Sequence, residues 1–505
     1  MAARPAFADS GQEPQASRIP WLMAALMVGF LWMTNHGYGF HRDELATLDD
    51  AKHLAWGFVA YPPVTPFFGW LSLHLFGTSL AGFRFFASVA AALVAAITAA
   101  MTREFGGGKT AQTLAAAATL AFGLATGSLM QYVAFDYLCW NFVFYGLVRL
   151  IATNDSRWWL AIGAGIGLGM LTKYSMLFCV AAIAVASAFA GRWRDLRSRW
   201  LWLGVAISLL FFLPNLIWQI SNHFVSLDFL QHIHARDVRI GRTRDFLPDQ
   251  LKITLFAFPL VVAGLWFFGF SKAGQKWRVL VCLYLIPLAL FLLAQGRGYY
   301  LAPAYPLLFA AGSAWLAVTV AQRHAVWRNL VWATAFVAVA ANVAAVIYLV
   351  MPVAPIGTAW WRRATTTNGD LGEEFGWPEL AAEVAHVRDT LPPETRDHVA
   401  ILAGNYGEAG AINLYGPALG LPNAICIVNS FWARGYGDPP PQTVILIGFS
   451  TEFAELYFRS SELAGRVTNK VNIPNEETTD HRDIFLCRDL KIPWPEFWKQ
   501  MRRYG

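Results

Sequence analysis

His41, Arg42, Asp43, Glu44, Asp49, Asp50 and Lys52 crowd into one stretch, Tyr38 to Trp70, of a chain in which only 14% of residues are charged. A carboxylate placed there can take a proton from an acceptor hydroxyl or amine as a new bond forms, while nearby cations hold a phosphate leaving group. Side chains suited to the second task recur at Lys173 and Arg297, with Tyr299 and Tyr300 beside the latter, and a further carboxylate stands at Asp136. Together these residues describe group transfer from a lipid phosphate. A transporter uses the same residues differently, with Glu44 and Asp136 as titrating relay sites in a cavity. Against that use, the sequence shows no inverted repeat and no pair of interrupted apolar segments.

The elements that must position these groups are apolar. Of 505 residues 56% are hydrophobic, and mean hydropathy is +0.40, which is the composition of a polytopic membrane protein. A bilayer core asks for roughly 17 to 25 apolar residues per helix. Eleven segments approach that: near 20–37, 84–102, 111–130, 137–152, 158–172, 174–190, 200–218, 250–270, 279–295, 300–320 and 329–350. The expected organisation is a cytoplasmic tail 1–19, a transmembrane region 20–350 whose outer-face loop 38–83 holds the chemistry, and an extracytoplasmic domain 351–505. The first apolar run has no small-residue cleavage site behind it and reads as an uncleaved helix. Pro63 to Gly77 is short and proline-rich, which suits a surface-lying or re-entrant piece.

Lys and Arg separate the loops into two sets. Arg103, Lys109, Arg149, Arg157, Arg192, Arg194, Arg197, Arg199, Lys272, Lys276, Arg278, Arg323 and Arg328 all fall on alternate connections, and the positive-inside rule makes that set cytoplasmic. The N-terminus is then inside. Asp43, Asp136, Lys173, the loop Ser221 to Gln250, Gly296 to Tyr300 and the tail are then outside. Cations that break the rule, Arg42, Lys52, Lys173, Arg236, Arg239, Arg242, Arg244 and Arg297, need anionic partners at the mouth of an apolar bundle. Either a lipid phosphate meets that need, or a solvated loop in which Arg236 to Arg244 pair with Asp237 and Asp245.

The formal charge of +6 does not indicate nucleic acid, because the cations sit in short clusters between apolar spans and not on one soluble face. Five cysteines form no framework; Cys426 and Cys487 in the tail can pair only if that domain is outside the cytosol. His53, His74, His223, His232 and His234 raise the question of zinc, yet QHIHA offers only two histidines two residues apart on an expected loop. No cofactor is required, and a divalent metal stays an open alternative. The tail alternates strand-like runs (HVAILAGN, AICIVNS, TVILIGF, DIFLCRD) with helical pattern at Pro378 to Thr390 and Thr451 to Leu463, which predicts a small α/β domain around a sheet. Its glycines do not form a phosphate-binding loop.

FHRDELATLDDAKHLAWG followed by AYPPVTPFFGWL resembles the first outer loop of the glycosyltransferase C superfamily, in particular bacterial enzymes related to protein O-mannosyltransferases and lipid A aminoarabinose transferases, the family 39-like group. YVAFDYLCWNF, GLGMLTKYS, GRGYYLAPAYPLL, NYGEAGAINLYG and NSFWARGYGD follow in the expected order, so the resemblance covers most of the chain. It implies an α-helical polytopic fold of the GT-C type with a C-terminal extracytoplasmic α/β domain. The implied activity is that of an inverting glycosyltransferase of a bacterial inner membrane. Its donor is a polyprenyl-phosphate sugar, and its acceptor is a lipid, a glycan or a protein. The alternative reading becomes a transporter or flippase of lipid-linked sugars.

On that resemblance Asp43 is the general base, with capping of the following helix as its other role; Glu44 orients a neighbour or sits at the helix start. Asp136, with Asp43 and Glu44 the third catalytic candidate, lies near the acceptor or supports the active-site network, or else makes a buried salt bridge to Arg42 or Lys173. Arg42, Lys173, Arg297, Tyr299 and Tyr300 are donor-phosphate candidates, although Tyr300 also suits an interfacial aromatic belt. Tyr61, Asn405, Tyr406, Glu408 and Trp432 are acceptor candidates, with Asn413 and Asn429 nearby, unless the tail only stabilises the bundle. Two departures keep the acceptor open. Ala60 stands where the aminoarabinose transferases have a lysine, and the tail does not resemble the lumenal insertion of eukaryotic O-mannosyltransferases.

Overall fold

Hydrocarbon offers no partner to an unpaired backbone N–H or C=O, so apolar runs of this length must cross it as helices. The computed structural model describes residues 14–505; residues 1–13 of the expected tail 1–19 lie outside them. The helices run α1 (Ile19–Thr34), α2 (Arg42–Lys52), α3 (Val64–Phe76), α4 (Leu80–Glu104), α5 (Lys109–Gly127), α6 (Tyr132–Thr153), α7 (Trp158–Met170), α8 (Met176–Phe189), α9 (Arg199–Ser221), α10 (Val225–Arg239), α11 (Phe246–Thr254), α12 (Phe258–Gly269), α13 (Cys282–Leu293), α14 (Tyr305–Ala321) and α15 (Ala325–Leu349). Among the described residues seven helical stretches are long and apolar enough to cross a membrane: α4, α6, α9, Phe246–Gly269, Gln275–Leu293, Gly298–Ala321 and α15. These coincide with seven of the eleven expected segments. The chain is a multi-pass membrane protein.

The other four segments form α1, α5, α7 and α8. Helices α7 and α8 have 13 and 14 residues, a reach of about 20 Å against a core of about 30 Å. Helix α3 is also 13 residues long. Small residues bring the bundle's helices together. Alanines fill the buried faces of α4 and α5, and Gly163 of α7 meets Gly204 of α9 so closely that a Cβ on Gly163 would lie 2.0 Å from the Gly204 carbonyl oxygen. Backbone contact of this kind supplies packing where no hydrophobic force acts between helices in lipid.

The segment Ser221 to Gln250, expected as a loop, is largely helical as α10 and the start of α11. His232 and His234 therefore lie on a helix two residues apart and diverge. Among the described residues no group of three His, Cys, Asp or Glu side chains is placed to hold a metal ion.

Beyond α15 the chain builds the expected α/β domain. Strands β1 (Ala400–Ala403), β2 (Ile425–Cys426), β3 (Thr443–Ile447), β4 (Phe458–Arg466) and β5 (Asp483–Leu490) form one sheet in the order β2-β1-β3-β5-β4. β1 is parallel to β2 and β3, whereas β5 is antiparallel to β3 and β4. One expectation fails here, and the pairing left open for Cys426 and Cys487 does not occur. Thr451 to Leu463 is a helix only to Tyr457 and then becomes edge strand β4, whose polar, largely exposed residues give no apolar alternation to read. Cys426 and Cys487 are free. They lie on strands separated by two others, about 14 Å apart at the usual strand spacing, well beyond the roughly 7 Å that a disulfide spans.

Helix α2 joins the two halves. Leu45 and Leu48 belong to the same contiguous core as Phe83 and Ala87 of the bundle and as Ile401, Leu446 and Leu486 of the sheet. The helix Tyr406–Tyr415 lies directly on α2, and a Cβ on Gly410 would be 2.8 Å from the Leu45 backbone. Asp49 and Asp50 at the far end of α2 both pair with Arg434, and Asn413 Nδ2 donates to Asp49 Oδ1 at 2.8 Å.

Candidate active site

The start of α2 decides which of its adjacent carboxylates faces open space. His41, not Asp43, is the N-cap. Its Nδ1 accepts from the Asp43 amide at 3.2 Å, and Glu44 Oε2 accepts from the His41 amide at 2.9 Å, closing a capping box. Asp43 is thus released from the capping role, and its carboxylate lies on the wall of a cavity of about 1430 Å³. There Oδ1 accepts from Tyr406 Oη at 2.8 Å and Oδ2 from Gln131 Nε2 at 2.9 Å.

Glu44, placed with Asp43 among the catalytic candidates and expected to orient a neighbour or sit at the helix start, points the other way because one helical residue is a rotation of about 100°. It is fully buried. Its oxygens accept from Arg84 Nε at 2.8 Å, Arg84 Nη2 at 2.6 Å, the Met130 amide at 2.8 Å and the His41 amide. No room remains for a substrate, so Glu44 takes no direct part in the chemistry and is an anchor at the helix start. Arg84 also reaches Glu374 at 3.4 Å, at the approach to the sheet domain. Burial raises the Glu374 carboxyl to about 7, with Arg84 opposing and Glu44 assisting.

Lys173 occupies the break between α7 and α8, at the cavity wall. Its Nζ lies 3.8 Å from the Tyr300 ring centre, 5.1 Å from Tyr132 and 5.4 Å from Tyr299, a cation against three π faces. Burial lowers its ammonium to about 8, the Asp136 charge opposing and the Arg297 charge assisting. Tyr299 and Tyr300 sit on a 3-10 turn, Gly298–Ala304, and all of Arg297, Tyr299 and Tyr300 line the same cavity. Tyr300 therefore serves this wall instead of a lipid-facing belt.

Other expectations need correcting. Asp136 is buried within α6 behind the wall, with no ion pair to Lys173 or Arg42 among the described residues, and its Oδ1 accepts no hydrogen bond. It influences Lys173 through charge and does not meet the cavity. Arg42 lines the cavity, but its guanidinium is engaged by Glu476, with Glu373 at 3.8 Å. Arg297 donates from Nε to Asp237 Oδ2 at 2.6 Å, so both arginines enter partly neutralised, whereas Lys173, the third expected phosphate-binding cation, makes no ion pair among the described residues.

The acceptor candidates divide. Tyr61 lines the cavity and donates to Asp50 Oδ2 at 2.8 Å; burial raises the Asp50 carboxyl to about 6, against the pull of Arg434. Asn405 and Tyr406 also line it. Glu408 does not: it closes a second capping box with Asn405 and accepts from the Gly404 amide at 3.1 Å. Trp432 donates from Nε1 to the Trp498 carbonyl at 2.7 Å and accepts from the Trp498 indole at 3.0 Å. Both are structural because their polar groups are spent on the domain's own backbone. Gln131, Glu476 and Arg434 carry no such signal in the sequence: Gln131 is uncharged, and the other two gain importance only through partners far away in the chain. Asp237, read as a partner of Arg236 to Arg244, lies 3.6 Å from Arg236 and also accepts from Arg297.

Comparison with known proteins places this architecture. Residues 60–218 match the family model described as dolichyl-phosphate-mannose-protein mannosyltransferase. The lipopolysaccharide core galacturonosyltransferase RgtB of Rhizobium johnstonii is 25% identical over 313 residues, 54% of this chain and 59% of RgtB, so the match spans about three fifths of that relative. ArnT of Cupriavidus metallidurans, solved bound to undecaprenyl phosphate, superposes with a TM-score of 0.59 at 15% identity, covering 93% of this chain and 98% of ArnT. Its apo form gives 0.58 at 14% identity, covering 93% and 97%. The chain has the fold of the GT-C glycosyltransferase superfamily.

Proposed function

We propose that the chain is a glycosyltransferase that moves a sugar from a polyprenyl phosphate to an acceptor on the outer face of a bacterial inner membrane, with Asp43 as general base. The observation that carries this reading is one cavity lined by Asp43 and, from distant segments, by Lys173, Arg297, Tyr299 and Tyr300. An acceptor hydroxyl gives its proton to the Asp43 carboxylate, and its oxygen forms a bond to the anomeric carbon. The bond from that carbon to the phosphate oxygen breaks, with inversion, and polyprenyl phosphate leaves. Lys173 and the tyrosine hydroxyls stabilise the departing anion. The volume exceeds the roughly 300 to 1,000 Å³ of an ordinary small-molecule pocket, as two substrates require. The ArnT complex with undecaprenyl phosphate, on the same fold, supports such a donor. The arginine asymmetry of the loops supports a cytoplasmic N-terminus and a periplasmic sheet domain.

The test is product analysis. Purified protein in proteoliposomes, given undecaprenyl-phosphate-linked hexoses and pentoses with glycolipid extract, should yield free undecaprenyl phosphate and a glycosylated product by mass spectrometry. Donor moved across the bilayer with no new glycosidic bond would instead make it a flippase. Lys173→Gln should weaken undecaprenyl phosphate binding about 10- to 100-fold, the worth of one charge-assisted contact. Equal affinity would return Lys173 to a purely structural role.

A further inference from the structure

Asp43 is held by donors from two separate parts of the chain. Gln131 comes from the turn before α6, and Tyr406 comes from the sheet domain, 363 positions away. Tyr406 is itself tightly placed. It opens the helix Tyr406–Tyr415 beside the Asn405 and Glu408 capping box, and the Arg42 guanidinium lies 5.2 Å from its ring centre. A Cβ on the next residue, Gly407, would stand 3.0 Å from Trp377 and 3.1 Å from Arg42, so the turn cannot slide along α2. Burial and the neighbouring Asp43 charge push the Tyr406 phenol up, which keeps it a proton donor.

We infer that Tyr406 is a positioning residue that sets the aim of Asp43, so that the sheet domain completes the catalytic centre it covers; this rests on Asp43 being the base. A carboxylate oxygen has two lone pairs. The phenol takes one on Oδ1 and the Gln131 amide one on Oδ2, fixing the carboxylate plane and leaving one lone pair on each oxygen for an acceptor hydroxyl. The groups that face Asp43 are His41 and Arg42 on its own helix, Tyr61 from the following loop, Gln131 and Tyr132 at the start of α6, and Tyr406 from the sheet domain, with Glu476 behind Arg42.

Tyr406→Phe keeps the ring and removes the hydrogen bond. In the full-length protein, the infrared carboxylate stretch that Asp43→Asn removes reports the hydrogen bonds on that carboxylate. Its frequency should shift in Tyr406→Phe, and kcat should fall about tenfold with the KM for the undecaprenyl-phosphate sugar unchanged. A 3-fluorotyrosine at position 406 changes one atom, donates more strongly and should shift the band the opposite way, which keeps the test decisive if the Phe variant is unstable. An Asp43 band at one frequency in all three proteins would overturn the inference and leave Tyr406 as an adhesive between domains. An active Asp43→Asn enzyme would instead defeat the reading of Asp43 itself, whatever Tyr406 does.

Discussion

Asp43→Asn is expected to lower turnover about a thousandfold, within the range that a positioned general base contributes, while the protein remains folded and binds undecaprenyl phosphate as before. The amide has the carboxylate's shape but cannot take a proton from the acceptor. Its Oδ1 still accepts from Tyr406, and Gln131 can turn its own amide so that Oε1 meets the new NH2 group. Because His41 caps α2 and Glu44 closes the box, removing the Asp43 charge takes no cap from the helix, and the melting temperature should hold. Rate by mass spectrometry, melting temperature and lipid-phosphate affinity measured on one preparation separate the alternatives. Near-normal turnover would sink the base assignment; a large loss of melting temperature would mean that Asp43 is a fold element after all.

Much of this cavity was legible because charge is conspicuous in an apolar chain. Asp43, Lys173 and Arg297 stand out at the edges of apolar runs, and they do line one space. What remained hidden was direction and partnership. Asp43 and Glu44 are chemically alike neighbours, and only the capping box, built on a histidine and not on the usual Ser, Thr, Asp or Asn, tells which one faces the cavity. Arg42 and Arg297 plainly need anionic partners, but which ones stayed hidden because their counterions, Glu476 and Asp237, are distant in the chain or on another element. The strand order that keeps Cys426 from Cys487 has no signature in either strand's sequence. Seven helices were visible from length alone, whereas α7 and α8, too short to span, look like spans in sequence because apolar residues continue past their ends into the turn that presents Lys173.

The residue most completely missed makes the sharpest statement about the fold. Arg84 sits in an apolar run, FRFF, and is fully buried between Glu44 and Glu374, which are 40 and 290 positions away. It holds Glu44 with two parallel bonds and Glu374 with a third, tying α4, α2 and the approach to the sheet domain together. Arg84→Met fills much of the volume but leaves two buried carboxylates facing each other without their cation, so a loss of about 3 to 5 kcal/mol is expected. Arg84→Lys should recover only part of it, because an ammonium cannot reproduce the paired fork. Adding Glu44→Gln and Glu374→Gln to Arg84→Met should recover more, since the unpaired charges are what cost most.

The deficit should also depend on pH in a defined direction. Glu374 is raised from 4.5 to about 7 in the fold, so the stability it contributes is complete below about 4.5 and is lost as pH rises through about 7. Without Arg84 the same carboxyl is harder still to ionise, and melting of Arg84→Met relative to wild type should worsen from pH 5 to pH 8. A deficit that is small and flat across that range would show water reaching both carboxylates. In that case the hydrophobic contacts of Leu45 and Leu48, and not the buried ion triad, would be what fixes α2 and with it the aim of Asp43.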